Sequence, residues 1–169
     1  MEKWGTRLYG DPCRACSFSW SLSPDEAVEV VRGVPERYAL CLAGTTGHER
    51  HADLGWTPVG HTSHVADNLR NWAERLAGAY LAGVTEVPGY DQDLLARARR
   101  YDELSIQGAL WSLEWAAAGW VDIVTSALAA GVVLSHAGRG RQTAEDVARN
   151  NCHDAHHHLW DIERILAAV

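Results

Sequence analysis

Apolar residues return at intervals of three and four along four long stretches of the chain, and each stretch opens on a helix-start signal. Ser23-Pro24-Asp25-Glu26 supplies an N-cap, a proline in the first turn and a glutamate reaching back. The helix it starts runs through Val28, Val30 and Val31, breaks near Gly33-Val34-Pro35 and resumes through Tyr38, Cys41 and Leu42. Thr57-Pro58 opens a second helix, to about residue 81, with a stripe of Val65, Leu69, Trp72, Leu76 and Tyr80. Ser105 caps a third, carrying Ile106, Leu110, Leu113, Ala117, Trp120, Val124 and Ala127; Trp111 and Trp115 lie off its stripe, placed to line a cavity or to meet another subunit. Thr143 caps the last. Between them, 44–54 and 84–90 read as loops, 92–101 as a short helix and 138–141 as a turn.

Four amphipathic helices joined by one long connection predict an all-α fold, an antiparallel four-helix bundle over residues 23–169. Residues 1–22 show no period, yet carry Trp4, Tyr9, Phe18 and Trp20. They are expected to form an irregular N-terminal arm draped over the bundle. Neither an internal repeat nor a low-complexity run is present.

Composition narrows the function classes. A chain of 169 residues that is 47% hydrophobic is one domain with a substantial core. The net charge of −7, with scattered arginines, argues against a nucleic-acid partner. Its longest apolar run, 127–134, is too short to span a bilayer, and no opening segment has signal-peptide order. The expectation is a cytoplasmic protein with a small-molecule substrate, no membrane partner and a size compatible with a homodimer. In that compartment the four cysteines read as thiols or ligands rather than disulfides.

The densest chemistry lies in the last helix. Residues 151–162 read N-C-H-D-A-H-H-H-L-W-D-I, with four histidines and two aspartates in twelve positions. At about 100° per residue, Val147, Asn151, Asp154, His158, Ile162, Ile165 and Val169 share one side, bordered by Ala148, Cys152, Ala155, Leu159 and Leu166. Asp154 and His158, one turn apart on the edge of this stripe, can point at one interior spot. His153 and His157 fall on the opposite side, toward water. A buried carboxylate beside an imidazole, with no lysine or arginine on the same face, calls for a compensating charge, and a divalent metal supplies it. The competing reading is a hydrogen-bonded Asp–His pair that holds the core in register. On the second helix, His61 and His64 flank the buried stripe, with Asn68 one turn on.

Cys13 and Cys16 form a C-x-x-C in the arm, open to three readings: half of a zinc site, a redox pair or coincidence. A zinc site needs two more ligands, and His48 with His51, or Cys41, are the candidates to close it.

Trp56-Thr57-Pro58 followed by His64-Val65-Ala66-Asp67 resembles the W-[ST]-P…H-[LV]-x-D signature of DinB-like (YfiT-like) metalloproteins. Asp154-x-x-x-His158-Leu159-Trp160-Asp161-Ile162 resembles the last-helix motif of the same superfamily, in the form seen in mycothiol-dependent maleylpyruvate isomerases. Together the motifs and layout cover about residues 24–169. The resemblance implies metal ligands at His64, Asp154 and His158, with His61 in reserve and Asp161 behind the ligands or facing solvent. Asp154 departs from the isomerase pattern, which has the longer glutamate there. The implied metal is divalent, zinc ahead of nickel, iron or manganese. The implied chemistry is activation of a low-molecular-weight thiol such as mycothiol for transfer or isomerisation. A metal-bound water for hydrolysis, a non-catalytic metal-binding or small-molecule-binding role, and a lyase or cyclase on the same scaffold are the alternatives.

Overall fold

The computed structural model describes residues 4–169. Its frame is four helical units. The first is broken in two, α2 (Pro24–Arg32) and α3 (Val34–Cys41), because Pro35 follows Gly33 at the junction. The others are α4 (Pro58–Ala82), α6 (Ile106–Ala129) and α7 (Ala144–Ala167). Ahead of them, the arm contains one helical turn, α1 (Thr6–Tyr9), and α5 (Gln92–Ala98) lies in the long α4–α6 connection.

Each bundle helix begins at the expected cap. Ser23 and Thr143 form reciprocal capping boxes with Glu26 and Asp146, and the hydroxyls of Thr57 and Ser105 accept from the amides of Gly60 and Gly108. Gly83 ends α4 in the left-handed conformation, at φ 68°. The core joins Val31, Tyr38, Leu69, Trp72, Leu113, Trp120, Val147 and Ile162 from all four units. Two buried polar contacts fix their relative placement. Tyr38 donates its hydroxyl hydrogen to the Ala155 carbonyl at 2.7 Å, and Trp120 Nε1 donates to Asn151 Oδ1 at 2.8 Å.

Three local expectations are corrected. Segment 84–90, read as a loop, and the residues around the turn read at 138–141 contain a small sheet: β1 (Glu86–Val87) runs parallel to β2 (Val133–His136), which pairs antiparallel with β3 (Gly140–Thr143). Strands of two to four residues are too short to show an alternation. Val169, placed on the buried side, is exposed because α7 ends at Ala167, and Tyr80 is exposed near the end of α4. Trp111 and Trp115 stand on the outer face of α6, 63% and 64% exposed. No helix among the described residues is long and apolar enough to cross a membrane.

Tyr38→Phe removes one buried hydrogen bond without opening a cavity. It is expected to cost about 1 kcal/mol, seen as a lower urea midpoint with an unchanged slope. An unchanged midpoint would show that this bond does not hold α3 on α7.

Candidate metal centre

Helices α4 and α7 run in opposite directions along their seam, where His61 meets His158 and Asn68 meets Asp154. Proline in the first turn and the Thr57 cap start α4 just ahead of His61. Trp56 then folds back over that turn. A Cβ on Gly60 would come within 3.0 Å of the Trp56 Cβ, so glycine admits this approach. The Trp56 ring packs on the imidazoles of His61, His64 and His158, with centroids 5.6, 4.7 and 5.8 Å away.

His64, Asp154 and His158 are brought together, with one donor atom of each lying within 4.8 Å of the others. His64 Nε2 is 3.7 Å from Asp154 Oδ2, and His158 Nε2 is 3.8 Å from Asp154 Oδ1. These separations are too long for hydrogen bonds. They lie a few tenths of an ångström above the roughly 3.0–3.6 Å between ligands that share one cation at 2.0–2.2 Å. His64 Nε2 is buried with no hydrogen-bond partner, as such a donor facing a cation would be. Asn68 Nδ2 donates to Asp154 Oδ2 at 2.8 Å and so orients the carboxylate. His64 is buried and His158 largely so, whereas the Asp154 side chain keeps 29% of its surface exposed.

His61 occupies a different place from the one held in reserve for it. Its Nδ1 shares a 2.9 Å hydrogen bond with His158 Nδ1, the nitrogen facing away from Asp154. Asp161 Oδ2 lies 3.8 Å from the same His158 nitrogen and 3.8 Å from His157 Nε2, and the carboxylate is buried and paired with Arg164 at 3.2 Å. A second group of donors within 4.8 Å, His61, His158 and Asp161, therefore backs the first through His158. Asp67 of the H-x-x-D motif turns away from this centre. It accepts from Arg70, Arg99 and the Tyr101 hydroxyl and ties the segment before α6 onto α4.

The protonation states suit cation binding. Burial pushes His158 well below the ordinary histidine range, against the pull of Asp154. Burial and the neighbouring His64 lower His61 to about 4. Desolvation alone would raise the Asp154 carboxyl, but the His158 and His64 imidazoles and the Asn68 amide outweigh it and hold it below the usual carboxylate range. Near neutral pH the site thus offers an uncharged His158 lone pair beside an ionised carboxylate.

Two other expectations change. His153, assigned to the water side, is only 3% exposed, because Tyr9, Phe18 and Trp20 of the arm cover it at ring distances of 4.5, 5.3 and 4.6 Å. His48, His51 and Cys41 do not join Cys13 and Cys16. His48 is exposed, and His51 lies within electrostatic reach of Asp161, whose carboxyl burial pushes up. The donors within 4.8 Å of the two cysteines are His153 and His157. Helical periodicity identifies which residues oppose the core stripe but not what covers them. Asn68, Trp56 and His61 were visible as neighbours of the motifs, without a signal for their partners.

No protein-family model and no curated protein matches the chain. Among solved structures, YfiT from Bacillus subtilis is similar over 86% of this chain and 86% of its own, with a TM-score of 0.76 and 18% identity. It is described as "a probable metal-dependent hydrolase with an unusual four-helix bundle topology". At this identity the likeness establishes a shared four-helix-bundle fold.

The lowered histidines give a signed pH dependence. His61, His153 and His158 are uncharged in the metal-free fold and take up protons on unfolding. Between about pH 6.5 and 4 the unfolded chain therefore binds more protons, and stability falls as pH falls. The urea midpoint of metal-free protein should drop clearly from about pH 7 to about pH 5. A flat profile would contradict the burial of these imidazoles.

Proposed function

We propose that this protein is a divalent-metal-dependent enzyme in which His64, Asp154 and His158 hold the ion and a low-molecular-weight thiol is the activated nucleophile. The observation that carries the reading is a gap bordered by two imidazoles, those of His64 and His158, and the partly exposed Asp154 carboxylate. A three-ligand ion keeps coordination positions open and stabilises a thiolate near neutral pH.

The surrounding residues have distinct tasks. Asn68 fixes the Asp154 carboxylate, and the His61 Nδ1–His158 Nδ1 hydrogen bond, with its proton on His158, would leave the His158 Nε2 lone pair for the ion. Trp56 shields the imidazoles from water. Further along α4, Asn71 and Arg75 border a cleft of about 650 Å³, closed on the other side by Val87, Tyr90 and Leu94. Desolvation raises the Tyr90 hydroxyl pKa and the Asp154 charge adds to it, so the cleft lies within electrostatic reach of the site. The lining sets the Arg75 guanidinium and an apolar wall beside the Glu74, Glu86 and Asp91 carboxylates, in a cleft large enough for a small organic second reactant. The motif resemblance to mycothiol-dependent isomerases supports the thiol. The shared fold with a protein described as "a probable metal-dependent hydrolase" favours water as the second reading.

His64→Ala, Asp154→Ala and His158→Ala should each lose the metal equivalent bound between α4 and α7 in a chelator competition. His61→Phe, which removes only a supporting hydrogen bond, should weaken its binding about 10- to 100-fold. Equal loss in His61→Phe and His64→Ala would make His61 a ligand.

Titration of metal-loaded protein with mycothiol should quench tryptophan fluorescence and release a proton. Neither change should appear in metal-free protein, and the quench should shrink in Trp56→Phe. Metal retention with ester hydrolysis and no thiol response would establish the water reading instead.

A further inference from the structure

Helix α7 carries a second pair of i, i+4 donors, His153 and His157, rotated about 100° from Asp154 and His158. That face meets the N-terminal arm. We infer that Cys13, Cys16, His153 and His157 form a second metal site, a closed Cys₂His₂ zinc centre that fastens the arm to α7.

Geometry and burial support this assignment. One donor atom from each of the four residues lies within 4.8 Å of the others. In a tetrahedral zinc site with Zn–S near 2.3 Å and Zn–N near 2.0–2.1 Å, donors are separated by roughly 3.3–3.8 Å, so the four need only contract slightly. Cys13, Cys16 and His153 are buried, and His157 is largely so. Nε2 of His153 and Nδ1 of His157 are buried without a hydrogen-bond partner. Two orphaned imidazole nitrogens beside two buried thiols call for a compensating group, which a cation with two thiolates provides at zero net charge. The other nitrogen of His157, Nε2, lies 3.8 Å from Asp161 Oδ2, where a carboxylate can orient a ligating imidazole.

The arm is shaped for the task. Ser17 N–H donates to the Cys13 carbonyl at 2.9 Å, Cys13 N–H donates to the Phe18 carbonyl at 2.8 Å, and Ser17 takes φ 59°, so the chain reverses directly after Cys16. This reversal keeps both cysteines on the α7 side. His156 Nε2 pairs with the Cys16 carbonyl at 3.1 Å, and Tyr9, Phe18 and Trp20 surround His153. The arrangement differs from a redox C-x-x-C, whose first thiol is activated by the helix that follows it and must be accessible for exchange. Here no helix follows within the arm, and both thiols are covered. Four protein ligands leave no open position, so the role is structural.

The test is cobalt substitution of reduced, metal-depleted full-length protein. The wild type should bind two equivalents, one giving a thiolate-to-cobalt charge-transfer band with intense tetrahedral d–d bands. Cys16→Ser and His157→Gln should each lose that band and one equivalent while retaining the other. Limited proteolysis should cut the arm faster in both variants and in metal-depleted wild type. Cobalt bound by the wild type without a sulfur charge-transfer band would overturn the assignment, as would one equivalent of metal alongside a Cys13–Cys16 disulfide in freshly isolated protein. The wild-type spectrum decides the matter even where a variant fails to fold. Because His64, Asp154 and His158 contain no sulfur, loss of the band and failure of the enzyme reading are separately visible.

Discussion

Everything functional in this bundle depends on burying polar side chains along the seam between α4 and α7. Placing imidazoles and a carboxylate where apolar residues would normally pack costs free energy unless each is paired. The chain meets that cost through specific partners: Asn68 on Asp154, His61 on His158, and Trp56 across three imidazole rings. Nε2 of His61 and Nε2 of His64 stay unpaired, and the second, with a gap of 3.7–3.8 Å on either side of the carboxylate, borders an opening of a size and donor type suited to one cation.

Helix geometry extends the same logic around α7. Consecutive residues diverge by about 100°, so the adjacent pairs 153/157 and 154/158 look at different neighbours. One pair meets α4 and the other meets the arm. Val147, Ile162 and Ile165 share the side of Asp154 and His158 and are buried in the core. A single helix thus has two occupied faces, one toward the bundle and one toward the arm.

Much of this was legible in the residues alone. Ser23, Thr57, Ser105 and Thr143 act at short range, so the starts of all four bundle units could be read without knowledge of the fold. The convergence of Asp154 and His158 followed from spacing, and His64 from the W-T-P and H-V-A-D pattern. Three features were hidden because they depend on long-range contacts. The cover over His153 comes from residues more than a hundred positions away. The small sheet pairs a two-residue strand with a later hairpin, too little chain to leave a period. Finally, periodicity places a histidine on a face but cannot tell which ring nitrogen turns inward. For that reason His61 passed as an equivalent of His64 although it bonds the far side of His158.

Anomalous diffraction from crystals of the metal-loaded protein addresses the central claim most directly. The account places a peak between α4 and α7, within about 2.0–2.2 Å of His64 Nε2, an Asp154 oxygen and His158 Nε2. A peak on the His61 and Asp161 side of His158, or no density along that seam in fully loaded protein, would contradict it.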